Sequence, residues 1–444
     1  MTFFERITYF RQHQFVKNVA SLQAGSFIGS FIQALAGIFI ARLLQPHLFG
    51  IYAIAFSLAS LTSILLGSGI QDAMTTVLGR AYARKDNSEI GEAFMFLIKM
   101  TMITAVISLG IVSVLPWLAG KFYHDTQIGL LAGVVVVASI ISTFFFSFSQ
   151  IAFQLMGRIK PMTVLIVADQ GLRFGLSLLF VFWGYGLYGA VVGQLAGASI
   201  IFFISLFAWE WARTKDIYLP SLRKLLRHIK HMPLQKYFGY SVWVAVDRNM
   251  GNLYMSLPIV LVGLYLLTTE VTFFKLAFGF VNLALSLLGP ISVLLNVEFP
   301  RIQVQDKSKM ADNFLRVSLY ALGLSTFLTV VAIIVSPLAF RILYGEVFMP
   351  SVKYVAGLIV YGALFGLGVG LGPMWRAINK VKTSITINLG VLGIGIPAGI
   401  YLIRHFGIWG AVVMVSLWFT ISHFISFVYL YRFLKRDNYQ NASI

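Results

Sequence analysis

The sequence predicts an all-α integral membrane protein of about twelve transmembrane helices, in two six-helix bundles related by a parallel repeat. Three observations predict it. Of the 444 residues, 58% are apolar and 11% charged, at a mean hydropathy of +0.84, whereas a soluble domain carries about 25% charged residues to face water. Twelve runs each reach the ~20 mostly apolar residues that span a bilayer as helix. The approach to the sixth run also recurs before the twelfth.

Met1–Arg6 lacks the basic-then-apolar pattern of a cleaved signal sequence, so the run beginning near Asn18 is expected to remain as the first span. The spans fall at roughly 18–42, 49–72, 92–116, 127–150, 161–183, 187–212, 237–264, 270–297, 312–337, 351–374, 383–403 and 408–432. With the N-terminus placed in the cytoplasm, 25 of the 34 Lys and Arg residues lie in cytoplasmic tails and loops. Six lie on the opposite side, counting Lys275 at the mouth of span eight, and Lys99, Arg173 and Arg248 remain inside spans. The positive-inside rule therefore puts both termini in the cytoplasm. It also accounts for the net charge of +18 without a nucleic-acid partner. The absence of cysteine excludes disulfides, iron–sulfur clusters and thiolate zinc sites.

The longest polar connection, 213–236, separates an N-terminal bundle (1–212) from a C-terminal one (237–444). Leu222, Leu225, Leu226 and Ile229 follow i, i+3, i+4, i+7, and Arg223, Lys224, Arg227 and Lys230 take the other face. Pro220-Ser221 is suited to start that helix. This is the pattern of an amphipathic helix on anionic headgroups, or of a solvated basic linker.

The bundles repeat. Tyr185-Gly186-Leu187-Tyr188-Gly189-Ala190-Val191-Val192 leads into span six, and Phe406-Gly407-Ile408-Trp409-Gly410-Ala411-Val412-Val413 into span twelve, 221 residues later. Five of the eight positions are identical and two more are aromatic in both. The basic turn Arg158-Ile159-Lys160 before span five is matched by Lys380-Val381-Lys382 before span eleven. Six spans per half leave both halves in the same orientation, and transporters commonly bind substrate where such repeats meet.

Several local motifs carry a family resemblance. Ala41-Arg42-Leu43-Leu44-Gln45-Pro46-His47-Leu48-Phe49-Gly50-Ile51-Tyr52 follows span one, Asp247-Arg248 lies in span seven, Phe299-Pro300 ends span eight, and Leu343-Tyr344-Gly345 follows span nine. With the Gly-aromatic-Gly-Ala approach to span twelve, these resemble the polysaccharide transporter family of the multidrug/oligosaccharidyl-lipid/polysaccharide exporter superfamily. The resemblance implies a bacterial or archaeal flippase of the cytoplasmic membrane that moves a lipid-linked oligosaccharide on a polyprenyl pyrophosphate. One departure stands out: where the family often reads Val-Gly-x-Tyr at span eight, this chain has Val271-Thr272-Phe273-Phe274.

Charges inside spans are the candidate site. Each costs ~2.5–3.5 kcal/mol at mid-membrane, so it should face a wet cavity or a partner. Asp169 and Arg173 stand at i, i+4 on span five, either as a self-neutralising pair or as a phosphate-binding arginine held by its aspartate. At the 221 offset they become Gly390 and Ile394, so the helix architecture does not need them in both halves. Asp247 and Arg248 are neighbours about 100° apart on span seven and should find different partners. Lys99 in span three can snorkel, and Lys275 lies near the outer end of span eight. Together these residues number four positive and two negative, a balance that suits an anionic cargo such as a lipid pyrophosphate. Polar stripes run along span one (Gln23, Ser26, Ser30, Gln33, Gly37) and span eight (Lys275, Gly279, Asn282, Ser286, Gly289). They either line a hydrated lumen for sugar hydroxyls or glue helices together.

Other signals lead nowhere. Gly366, Gly368, Gly370 and Gly372 precede Pro373 without a following Lys-Ser/Thr, so they read as a broken helix and not a phosphate loop. His228 and His231 lack acidic neighbours for a metal site, and Asn441-Ala442-Ser443 falls in a tail expected to be cytoplasmic. No nucleophile and base are assembled, so neither enzymatic activity nor a cofactor is expected. Energy would come from an ion gradient, the membrane potential or consumption of the product. Membrane lipids and the lipid-linked oligosaccharide are the expected partners. The rivals are a multidrug-and-toxin-type antiporter, which the basic charge balance disfavours, and a polysaccharide polymerase or ligase, which the short outer loops disfavour.

Overall fold

The computed structural model describes residues 14–64, 68–228, 234–305 and 310–442. Ile229, Lys230, His231 and Ser443 lie outside the described residues, as does Met1–Arg6. Among the described residues every regular element is helical. In chain order the longer ones are α1 (Gln14–Ser63), α2 (Ser68–Ala83), α3 (Asn87–Tyr123), α4 (Thr126–Leu155), α5 (Ile159–Phe180), α6 (Gly186–Lys215), α7 (Leu222–His228) and α8 (Gln235–Tyr265). They continue with α9 (Thr268–Leu285), α10 (Gly289–Gln305), α11 (Met310–Ala339), α12 (Pro350–Gly357), α13 (Ile359–Gly368), α14 (Leu371–Ala377) and α15 (Val381–Ala442).

Three apolar helical stretches, Ser21–Ser63, Ile159–Lys215 and Val381–Arg436, run to 43, 57 and 56 residues, about twice the length one crossing needs. Each breaks where the backbone leaves helical geometry, and so holds two spans. α1 breaks at Gln45 (φ 62°, ψ 167°), just before Pro46. The second stretch breaks through a π turn at Val181–Tyr185, and α15 breaks at Gly407. Pro350–Gly357 and Ile359–Ala377 form one span bent by 46°. α8, at 31 residues, carries Lys236, Asp247 and Arg248 and supplies span seven. Among the described residues, with each broken stretch counted as two, twelve spans result.

The repeat extends to the backbone. Gly186 has φ 53° and ψ −135°, and Gly407 has φ 56° and ψ −133°. Side-chain-bearing residues avoid this region, so both halves turn into their last span through the same glycine-only conformation.

The chain forms two compact units, Met1–Gln45 with Ala55–Leu253, and Pro46–Ile54 with Tyr254–Ile444. The core of the first includes Phe94, Phe148 and Trp209, fully buried, with ring centroids 5.1 Å apart for Phe94–Trp209 and 6.0 Å for Phe148–Trp209. Leu225 of α7 is buried in this same core, with Leu222 packed against it. Arg223, Lys224 and Arg227 are exposed. These three basic residues of α7 therefore point away from the protein while Leu222 and Leu225 dock on the bundle. Just before α7, the Tyr82 hydroxyl donates to Asp216, and burial followed by that bond raises the tyrosine pKa to about 12. The core of the second unit is built around Tyr361, whose ring lies 4.8 Å from Phe419 and 5.3 Å from Phe278.

The span-eight departure from the family pattern has a structural explanation. Glu270 closes the first turn of α9 by accepting from the Leu267 N–H at 3.1 Å. Thr272 is fully buried, and its hydroxyl donates to the Pro46 carbonyl at 2.6 Å. Gly50 packs so closely that a Cβ there would sit 1.9 Å from the Thr268 carbonyl oxygen. The segment after span one is thus clamped onto the start of α9 by one hydroxyl and one missing side chain.

Candidate functional site

In the first unit the site is built by the α5–α6 hairpin. Gly193 and Gly197 of α6 let the helices approach until a Cβ on either would lie 2.4 Å from the Ser177 backbone or 2.6 Å from that of Arg173. This is the small-residue contact by which membrane helices pack. It brings Arg173 against Gln194, whose Oε1 accepts from the guanidinium Nε–H at 3.0 Å. A further guanidinium nitrogen lies 3.8 Å from Asp169 Oδ2, and Gln170 also donates to that oxygen at 3.2 Å. Asp169 is 6% exposed and Gln194 fully buried.

The cluster is incompletely satisfied. Asp169 Oδ1 and Gln194 Nε2 are buried without a hydrogen-bond partner, at a cost of about 1–3 kcal/mol for each such group. A pair kept only for packing would be expected to satisfy its polar atoms. Here an unused donor and an unused acceptor flank a guanidinium. At the 221 offset, Asp169, Arg173 and Gln194 become Gly390, Ile394 and Val415, so the second half builds nothing polar at this place.

Arg248 pairs with Asp72 of α2 at 3.3 Å, both side chains being more than half exposed. α8 is seated there by Gly69, where a Cβ would fall 2.1 Å from the Ala245 backbone. The Asn249 amide donates to the Ile64 carbonyl at 3.3 Å. Beside Asp72, the Gln71 amide donates to Gln150 at 3.2 Å and its oxygen accepts from Ser147 at 2.9 Å. Asp72 narrows the positive surplus among the membrane charges to four against three. Lys99 is half-buried, and both it and Asp247 have interaction partners. Ser30 and Gln33 are exposed, whereas span one packs through Gly25, Gly29 and Ala36 on an adjoining face. Of the span-one stripe, Ser26, Ser30 and Gln33 thus lie off this packing face, and Gln23 and Gly37 are half-buried.

In the second unit Lys275 and Asn282 are half-buried and the intervening Gly279 is exposed. Asn282 accepts from the Tyr361 hydroxyl at 2.6 Å. It borders a cavity of about 290 Å³ lined also by Ser286, Ser292, Phe365 and His423. Nearby, the Ser422 hydroxyl donates to Asn388 Oδ1 at 2.7 Å, and Tyr254 donates to the Asn388 carbonyl at 3.2 Å.

Asp72, Gln194, Tyr361 and His423 were not anticipated from the sequence. Gln194 and His423 carry usable signals, as polar residues amid the small and apolar residues of spans six and twelve. Among the described residues, no three His, Cys, Asp or Glu side chains gather as a metal site would require.

A family profile described as polysaccharide biosynthesis protein matches residues 39–353. No curated protein matches the sequence. Among solved structures, the chain is similar to an inward-facing multidrug resistance MATE family transporter of the MOP superfamily. The identity is 14% over 91% of this chain and 95% of that one, with a TM-score of 0.74. It is also similar to a eukaryotic MATE transporter, at 13% identity over 96% of this chain and all of that one, with a TM-score of 0.66. At these identities the likeness carries the fold alone.

Proposed function

Because the chain belongs to the polysaccharide biosynthesis protein family and has the fold of a multi-pass membrane transporter, we propose that it is a flippase. It moves a lipid-linked oligosaccharide on a polyprenyl pyrophosphate from the cytoplasmic to the outer leaflet of the cell membrane by alternating access. The observation that carries this reading is the unsatisfied Asp169–Arg173–Gln194 cluster. A guanidinium offers a fork of donors matched to phosphate oxygens, and the spare Gln194 amide adds a neutral donor beside it. Asp169 holds the arginine between cargo molecules. Arg248, Lys275 and Lys99 supply further positive charge, while Ser30, Gln33 and Asn282 offer neutral groups to sugar hydroxyls. Asp247 balances the set. No cofactor enters the cycle, and an ion gradient or the membrane potential can bias it.

The test is reconstitution of the purified chain in proteoliposomes with a fluorescent lipid-linked oligosaccharide, whose arrival in the outer leaflet is read by quenching. Flipping above protein-free vesicles is expected. The similarity to a multidrug resistance MATE family transporter favours one other reading, small-molecule antiport. Drug efflux from the same vesicles without glycolipid flipping would replace the flippase assignment.

Orientation is tested separately. The chain has no cysteine, so single cysteines at Gln45 and at Lys85 report cleanly. A membrane-impermeant thiol reagent added to intact cells should label position 45 and leave position 85 untouched. The reverse pattern would invert the topology.

A further inference from the structure

A feature independent of the flippase reading lies along α15 of the second unit. Two cavities meet at Ile425. One, of about 680 Å³, is lined by Phe424, Ile425, Val428, Tyr429 and Phe433 and rimmed by Lys380, Arg432 and Arg436. The other, of about 330 Å³, runs along spans eleven and twelve between Thr386 and Leu402 on one side and Met414 and Ile425 on the other. That stretch of span eleven is about 24 Å of helix, longer than the ~15 Å hydrocarbon depth of one leaflet.

The first cavity has the chemistry of a headgroup site. No described carboxylate pairs with Lys380, Arg432 or Arg436. The lysine ammonium is held 3.9 Å over the Phe433 ring. In the first unit the equivalent cation, Arg158, likewise stacks on Trp211 at 5.1 Å, so this cation–aromatic link belongs to the repeat. The arginines do not: at the offset that pairs Arg158 with Lys380 and Trp211 with Phe433, Arg432 and Arg436 fall on Glu210 and Thr214.

The second cavity has the chemistry of a chain site. Among its lining residues only Thr386 bears a hydroxyl; Gly390 leaves open space between apolar side chains, while Trp418 and Met414 pack against Gly395 and Gly399. Ile394 is 79% and Phe424 58% exposed, so the groove is open from the side. Three cations at one end and an apolar trough leading from them match an anionic lipid in charge and shape. The lining supplies almost no neutral donors or acceptors for a sugar.

We infer that the groove along spans eleven and twelve binds one anionic phospholipid, its phosphodiester at Lys380, Arg432 and Arg436 and an acyl chain between the two helices past Ile425.

The experiment is native mass spectrometry of the delipidated full-length chain titrated with phosphatidylglycerol. A saturable one-to-one adduct is expected, weaker with zwitterionic phosphatidylethanolamine. Replacing all three cations by glutamine should weaken the adduct on the order of a hundredfold, at the usual contribution of a basic residue to anionic-lipid attraction. Removing three exposed cations elsewhere, by Arg80→Gln, Lys85→Gln and Lys215→Gln, should leave it unchanged. Ile425→Trp, which plugs the junction from an exposed position, should weaken it too. If the triple variant misfolds, Arg432→Gln alone carries the test.

Equal loss in the control variant would reduce the effect to diffuse charge and overturn the inference. So would displacement by inorganic phosphate with no effect of Ile425→Trp, because the site would then bind a free anion. Preference for a polyprenyl monophosphate over phosphatidylglycerol would also overturn it, making the groove a seat for the cargo carrier.

Discussion

Replacing Arg173 by alanine is expected to abolish glycolipid flipping and to lower membrane abundance at the same time. The change strands the buried Asp169 carboxylate, and breaking a buried pair from one side typically costs about 3–5 kcal/mol. It also frees the Gln194 oxygen that accepts from Arg173. The double variant Asp169→Ala with Arg173→Ala separates the two losses. Abundance should recover because neither charge remains buried alone, whereas flipping should stay absent because the phosphate has lost its guanidinium. Arg173→Lys should keep the charge and part of the flipping rate, losing the planar fork and the Gln194 bond. Abundance measured beside flipping in proteoliposomes decides the matter. A fully active double variant would reduce Asp169 and Arg173 to a structural pair.

The next largest effect is expected at the matched turns. Gly186→Ala and Gly407→Ala should each destabilise the protein by about 1–3 kcal/mol, because both force a Cβ into a region of backbone space essentially reserved for glycine. Neither site is crowded, so the penalty is conformational. The near-identical angles predict near-identical losses. Gly171, which is helical with open space around its Cβ position, provides the opposite sign. Gly171→Ala should be neutral or stabilising by up to about 1 kcal/mol. Thermal unfolding of the purified variants in detergent gives the comparison. Unequal losses at 186 and 407 would mean that the two turns match in sequence but not in mechanical role.

These outcomes bear on what a sequence can disclose. The spans and the repeat were legible because bilayer thickness and the glycine turns each impose a pattern along the chain. The charged residues of the site were legible for a related reason: ionised groups stand out in an apolar run. Their partners were not. Asp169 and Arg173 share a helix and an i, i+4 spacing, but the bond from Arg173 to Gln194 depends on how closely Gly193 and Gly197 let α5 and α6 approach. Asp72 is the last residue of span two by hydropathy, and only the seating of α8 on Gly69 brings Arg248 to it. Thr272 is the clearest case. Against the family pattern it is a missing glycine, whereas in the structure its hydroxyl fastens α9 to Pro46. Hydropathy and periodicity describe one helix at a time, and these contacts form between helices.

Neither compact unit is a continuous stretch of chain, and this has a consequence for gene architecture. A break in the basic connection between α6 and α8 looks harmless on a hydropathy plot, since it leaves six spans on each side. The N-terminal fragment would nevertheless present Gly69 and Asp72 without Ala245 and Arg248. The C-terminal fragment would present Thr268 and Thr272 without Gly50 and Pro46. Each fragment would lack a piece of its own unit that the other carries. Gene fission at that connection would therefore create obligate complements, and duplication of either half alone would yield an unfinished bundle. Such reciprocal dependence would hold the two repeats in a single reading frame.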